Sequence, residues 1–280
     1  MDEKLFRSHT RFILDKKVHG VCLGGSTGEG FTLDPQELRR LTEITLDEVN
    51  GSVPVVAGII ANSTREVIQR ATALKGLEVA ALQVTPTFYV FDYGEEAMFQ
   101  YFKRIWEETG VPLVIYNVIP WNLLSADLVI RLLEEIPGII GIKQSQGNIS
   151  RAAELVIRAP KGKAILAAID DLLYPCFMMG AQGTLAASPT AAPGPCVRLW
   201  DAVQAGDHAL APSRAGEILP RDPGLPGGPP AAPSDAGSVR GAEGEDPARA
   251  GGPARVRQLT TGRPAGCQRL RWPSFLGGER

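Results

Sequence analysis

The chain has 280 residues, 44% hydrophobic and 21% charged, with 29 basic against 31 acidic side chains and a net charge of −2. That length holds one large domain or two small ones, and that balance gives no electrostatic reason for a nucleic-acid or anionic-membrane partner. No apolar run reaches the ~18 residues that span a bilayer, and the opening MDEKLFRSHTRF has no apolar signal stretch, so a soluble cytoplasmic protein is the expectation.

The chain opens in a helical stretch, roughly Glu3 to Lys16. Short apolar runs then recur: GVCLGG (20–25), VPVVAGII (53–60), VAALQVT (79–85), VPLVIYNV (111–118), GIIGIKQS (138–145), KAILAAID (163–170) and GTLAAS (183–188). Each has strand length and is rich in β-branched or small apolar residues. Helical patterns lie between them. Asp34-Pro35-Gln36-Glu37 supplies an N-cap, a proline at the first helical position and a glutamate at the third. Leu38, Leu41 and Ile44 then form an apolar stripe. Ser63-Thr64-Arg65-Glu66 is a second capping box, and Ser125 can cap LVIRLLEEI. Met98, Phe102, Ile105 and Trp106 form an apolar stripe on a helix beginning near Gly94.

Strands apolar on both faces, alternating with amphipathic helices, predict a parallel sheet. Seven of them suit a (β/α)8 TIM barrel, which runs to about 250 residues, lacking its first strand. A doubly wound sheet is the alternative, but its GxGxxG signature is absent: Gly25, Gly28 and Gly30 have the wrong spacing. Four cysteines (Cys22, Cys176, Cys196, Cys267) lie far apart without a CxxC pair, and His9, His19 and His208 form no metal motif. Neither a disulfide scaffold nor a metal centre is predicted.

A composition break divides the chain. Residues 1–209 form the predicted barrel domain and residues 210–280 a tail. Residues 211–280 hold 13 Gly, 11 Pro, 10 Ala and 10 Arg, with no Lys, Asn, Tyr or Met. So little apolar surface cannot offset ordering entropy, which predicts a disordered tail. A natural low-complexity segment and an out-of-frame reading of a GC-rich gene both give this bias.

Barrel chemistry sits at the C-terminal ends of strands. The strand-end residues are Gly24 to Glu29, Tyr116-Asn117, Lys143-Gln144-Ser145 and Asp170-Asp171. Of the eight lysines, Lys143 alone follows an apolar strand sequence. Desolvation in an apolar barrel mouth favours a neutral amine, and a neutral amine can form a Schiff base with a ketone or aldehyde. A snorkelling strand-end lysine is the alternative. Tyr116, one strand away, could shuttle a proton or stand as a core tyrosine. Gly25, Ser26 and Thr27 lie in a glycine-rich turn whose N–H groups and two hydroxyls could cradle a carboxylate. Glu29 reads equally as a supporting carboxylate or a helix-start residue.

The segments GGSTGEG, YN and GIKQSQGN, each after a strand and in this order, resemble the pyruvate-dependent class I aldolases, the family of dihydrodipicolinate synthase and N-acetylneuraminate lyase. The resemblance covers roughly residues 3–209. It implies a (β/α)8 barrel with further C-terminal helices, a homotetramer, and a lyase needing no metal or organic cofactor. It implies that Lys143 captures the keto carbon of pyruvate and that Tyr116 moves protons. Ser26 then supports the tyrosine, and Thr27 with Gly25 binds the carboxylate. The partners expected are a 2-oxo acid and an aldehyde. Two departures stand out. Dihydrodipicolinate synthases typically read YNVPGRT, whereas this chain reads Tyr116-Asn117-Val118-Ile119-Pro120-Trp121-Asn122, without the arginine that holds the aldehyde's carboxylate. The family's TPYYN appears as Thr85-Pro86-Thr87-Phe88-Tyr89-Val90, where Phe88 or Tyr89 could match the second aromatic. A catalytically dead barrel, vestigial or binding-only, is the alternative function.

Overall fold

The computed structural model describes residues 1–206. Helix α1 (Glu3–Asp15) leads into seven strands: β1 (Val21–Leu23), β2 (Val55–Ile59), β3 (Ala81–Val84), β4 (Leu113–Asn117), β5 (Ile139–Gln144), β6 (Ala164–Ala167) and β7 (Gly183–Thr184). Between them lie α2 (Pro35–Val49), α3 (Thr64–Ala73), α4 (Glu95–Thr109), α5 (Ala126–Glu135), α6 (Ile149–Arg158) and α7 (Leu173–Met178); α8 (Ser188–Ala191) and α9 (Pro193–Ala205) follow β7. All seven strands pair in parallel, in chain order β1 to β7. A doubly wound sheet reverses strand order at a switch point. Unbroken sequential order is that of a TIM barrel, as the alternation of runs predicts. The predicted tail, 210–280, lies outside the described residues.

Local chemistry sets the helix starts. The Asp34 side chain accepts from the Gln36 and Glu37 amides at 2.8 Å, and Glu37 reaches back to the Asp34 N–H at 3.1 Å. Ser63 and Ser125 cap α3 and α5 through the Glu66 and Leu128 amides. The second box is only half a box. Glu66 turns its carboxylate to the Asn62 N–H and to Arg70 rather than to Ser63.

The helices bury one stripe each against the sheet. Leu38, Leu41 and Ile44 of α2 are buried, as are Met98, Phe99, Tyr101, Phe102 and Ile105 of α4. Trp106 is only partly buried and packs against that core from its edge. Phe102 is fully buried, and truncating such a side chain to alanine costs about 3–5 kcal/mol. A second, smaller cluster forms where α9 meets α7, with the Phe177 and Trp200 rings edge-to-face at 5.0 Å.

Two features position the mouth. Between β4 and β5 the register slips: Leu113 faces Ile139, but Val114 faces Gly141, so Ile140 is an extra residue. The other is Gly141 itself. A Cβ there would lie 2.4 Å from the Ala164 carbonyl oxygen, so only glycine lets β5 and β6 approach this closely. The edge strands β1 and β7 are three and two residues long, which limits the edge-to-edge pairing that open sheets invite. No described helix is long and apolar enough to cross a membrane.

An ion-pair group ties α1 to α2. Arg7 Nη1 lies 2.7 Å and Arg11 Nη2 2.8 Å from Glu48 Oε1, and Arg40 holds Glu3 at 2.6 Å. Hydrogen bonds from Arg11 and then Arg7 hold the Glu48 carboxyl down at about 2. A lowered folded pKa stabilises only where the carboxylate is ionised. The contribution is therefore complete above the unfolded carboxylate range, about pH 4.3, and fades as pH falls toward 2. Glu48→Gln should flatten the loss of stability across that window, read by denaturant unfolding at stepped pH. Parallel curves for the two proteins would remove Glu48 from the acid response.

Candidate active site

The mouth is built from the ends of β1, β3, β4 and β5. After β1 the chain turns at Gly24, where two constraints demand glycine: a φ of +67°, and the Gly58 carbonyl oxygen only 2.8 Å from where a Cβ would stand. The turn through Gly25, Ser26 and Thr27 closes with hydrogen bonds from the Glu29 N–H to Ser26 O and from the Gly30 N–H to Gly25 O. Among the described residues the Ser26 and Thr27 amides have no backbone acceptor. The side chains of Ser26 and Thr27 stand at the exposed rim.

Tyr116 and Lys143 are direct register partners on β4 and β5. Both are buried, at 4% and 9% exposure. Lys143 Nζ lies 3.8 Å from the centroid of the Tyr116 ring. The Tyr116 hydroxyl is 3.1 Å from Ser26 Oγ. Thus the loop after β1 meets the phenol, and the phenol's ring meets the amine. Three of the sequence-predicted site residues form one chain of contacts, and Gly25 and Thr27 flank its first member.

Asn117 holds the next loop. Its Nδ2 donates to Leu124 O and to Gln144 Oε1 at 3.3 and 3.1 Å, and its Oδ1 accepts from the Leu124 N–H at 3.0 Å. The asparagine of the YN pair therefore pins the β4–α5 loop to β5, beside the lysine.

Other predicted residues stand elsewhere. Asn122 is buried and spends its amide on Thr87 O at 2.8 Å, so it braces the β3–α4 segment. Trp121 is exposed, and its indole N–H donates to Phe88 O at 3.1 Å. The Phe88 N–H is held by Asn62, whereas Tyr89 is 65% exposed. Glu29 is exposed in a turn with φ +53°, well before α2 begins, which removes the helix-start reading. Asp170 and Asp171 lie past β6 in a single 3-10 turn, where Asp170 accepts from the Ser188 N–H and hydroxyl at 2.8 and 2.6 Å.

Two residues that the sequence pattern did not single out face the barrel interior. Cys22 of β1 has its thiol pushed up to about 11 by burial, against the opposing pull of the nearby Lys143 charge. A neutral thiol leaves the lysine without an anionic partner there. Gln83 of β3 is fully buried, 3.7 Å from the Cys22 sulfur. A glutamine inside the apolar run Ala81-Leu82-Gln83-Val84 was the available signal. No group of three or more acidic, histidine or cysteine side chains among the described residues could hold a metal ion.

The comparisons with known proteins converge. The sequence pattern described as the Dihydrodipicolinate synthetase family matches residues 1–221. The 4-hydroxy-tetrahydrodipicolinate synthase of Methanopyrus kandleri is 33% identical over 223 residues, 79% of this chain and 74% of that protein. The Azoarcus sp. enzyme of the same name is 36% identical over 75% of this chain and 72% of its own length. Dihydrodipicolinate synthase from Aquifex aeolicus superposes with a TM-score of 0.70 at 26% identity, covering 78% of this chain and 73% of that one. The chloride-inhibited Acinetobacter baumannii enzyme, solved with pyruvate, gives 0.71 at 27% identity over 78% and 74%. With the family pattern spanning most of the sequence and relatives above 30% identity over three quarters of it, this chain belongs to the dihydrodipicolinate synthetase family.

Proposed function

We propose that this chain is a Schiff-base-forming lyase that makes or cleaves a carbon–carbon bond between pyruvate, or another 2-oxo acid, and an aldehyde. The observation that carries the reading is the contact chain from rim-exposed Ser26 to buried Tyr116 and Lys143 at the mouth of a parallel barrel. An amine among buried groups beside a neutral thiol can attack C2 of the oxo acid. The carbinolamine so formed loses water to an imine. Transfer of a C3 proton to water gives the enamine, whose C3 adds to the aldehyde carbon; water finally hydrolyses the product imine and frees Lys143. Tyr116 donates the proton that the new alkoxide needs and recovers it in the cleavage direction. Ser26 orients the phenol, and the amides and hydroxyl of the Gly25–Thr27 turn receive the substrate carboxylate. No cofactor enters the scheme. The exposed aromatic residues Tyr89, Phe91 and Tyr93, in edge contact with one another, fit a homo-oligomer.

Borohydride reduction with pyruvate should add a stable mass to Lys143, and Lys143→Ala should abolish it. Mass spectrometry of the digested protein decides; labelling that survives the substitution would falsify the nucleophile. Tyr116→Phe should still form the reducible imine while turnover falls about 10²–10⁴-fold, the usual worth of an acid–base group. Unchanged turnover would leave Tyr116 as packing only.

The second substrate follows from what the β4–α5 loop offers. No guanidinium stands at Trp121 or Asn122, and both of their N–H donors are spent within the protein. At Trp121 and Asn122 a carboxylate-bearing aldehyde therefore lacks a bidentate partner. Neutral aldehydes, or 2-keto-3-deoxy sugar acids in the cleavage direction, should outperform aspartate semialdehyde in side-by-side rates with pyruvate. Efficient condensation with aspartate semialdehyde would defeat this substrate choice and leave the imine chemistry standing.

A further inference from the structure

The interior layer beneath Tyr116 and Lys143 is made of small residues. Gly58, Gln83, Val114, Gly141 and Ala164 are successive register partners across β2 to β6. Gln83 is the one long polar side chain in this row, and it is fully buried. The Cys22 thiol lies 3.7 Å from Oε1 and 3.8 Å from the Leu23 carbonyl oxygen, and among the described residues Nε2 is left without a partner. A Cβ placed on Gly25 would lie 3.9 Å from that Nε2. Nε2 therefore points up at the turn that the proposed function gives to the substrate carboxylate. Among the described residues it has no hydrogen-bond partner, and neither does the buried Thr85 Oγ1 just past the same strand. A buried amide N–H without an acceptor is costly, commonly about 1–3 kcal/mol. Such a group in a folded protein calls for an explanation, a functional role or a bound partner among them.

We propose that Gln83 is a substrate-binding residue whose carboxamide N–H donates to the carboxylate of the 2-oxo acid from below, opposite the Gly25–Thr27 amides. This rests on the Schiff-base reading and deepens it. A neutral donor suits the place. It binds an anion without competing with Lys143 for the oxo carbon, and it adds no second cation beside the amine.

The test is the pyruvate concentration that half-saturates borohydride labelling of Lys143, measured on the full chain. Gln83→Met keeps length and loses the donor. It should raise the half-saturating concentration about tenfold to a hundredfold, the worth of a hydrogen bond to a charged group, with the same maximal labelling. Gln83→Glu places an anion below the carboxylate and beside the amine, and should raise it further. Thermal unfolding of each variant is read alongside. A lowered midpoint with an unchanged half-saturating concentration would make Gln83 barrel filling and overturn the proposal. If Gln83→Met does not fold, Gln83→Glu carries the test: half-saturation no worse than the wild type overturns the proposal. A wild-type chain that pyruvate does not label overturns the Schiff-base reading itself. A wild-type chain that labels, beside a Gln83→Met protein that saturates equally, overturns this inference alone.

Discussion

The site depends on one extra residue in β5. Side chains alternate along a strand, so a shift of one position turns every later residue to the opposite face. Ile139 pairs with Leu113 and faces the helices; after the slip at Ile140, Gly141 pairs with Val114 and faces the interior. Without that bulge, Lys143 would keep the parity of Ile139 and point into the helical shell. With it, Lys143 comes level with Tyr116, and the amine lies against the phenol ring. Bulges recur near active sites because they re-aim a side chain without rebuilding the strand.

Room for that lysine is made by the layer beneath it. Gly58, Val114, Gly141 and Ala164 carry little bulk, and β5 can sit close to β6 only because Gly141 has no side chain. Close packing leaves few voids in a protein interior. The space is filled instead by Gln83 and Cys22, whose polar ends meet below the mouth. The interior thus changes from apolar packing at the helix face of the strands to a polar floor under the amine. That transition sets polar groups beneath Lys143 in a barrel whose outer strand faces are apolar.

The loops are held by amides more than by charges. Asn117 fastens the β4–α5 loop to β5, Asn122 fastens that loop to Thr87, and Asn62 fastens Phe88. Uncharged side-chain amides of this sort, donating or accepting, fix backbone position without adding charge to the field at Lys143. The ion pairs of the described residues stand on the helices, within one helix, as Arg104 with Glu108, or between neighbours, as Glu48 with its two arginines. Charge chemistry and fold stabilisation are kept apart in space.

Much of this was legible in the sequence. Apolar runs separated by amphipathic, capped helices fixed a parallel barrel, because burial on both strand faces and on one helix stripe leaves few other solutions. Lys143 stood out because it alone of the eight lysines follows an apolar strand sequence. The glycine-rich turn and the YN pair added Ser26, Thr27, Gly25 and Tyr116 as candidates, and the folded chain brings Ser26, Tyr116 and Lys143 into contact. Periodicity could not reveal the slip at Ile140, which exists only as a relation between two strands. Nor could it reveal that Asn122 is consumed by Thr87, that Glu66 abandons its cap for Arg70, or that Gln83 and Cys22 meet. Local patterns record which face a residue prefers. Which neighbour it finds on that face is decided by register and by the paths of distant loops, and these exist only once the chain has folded.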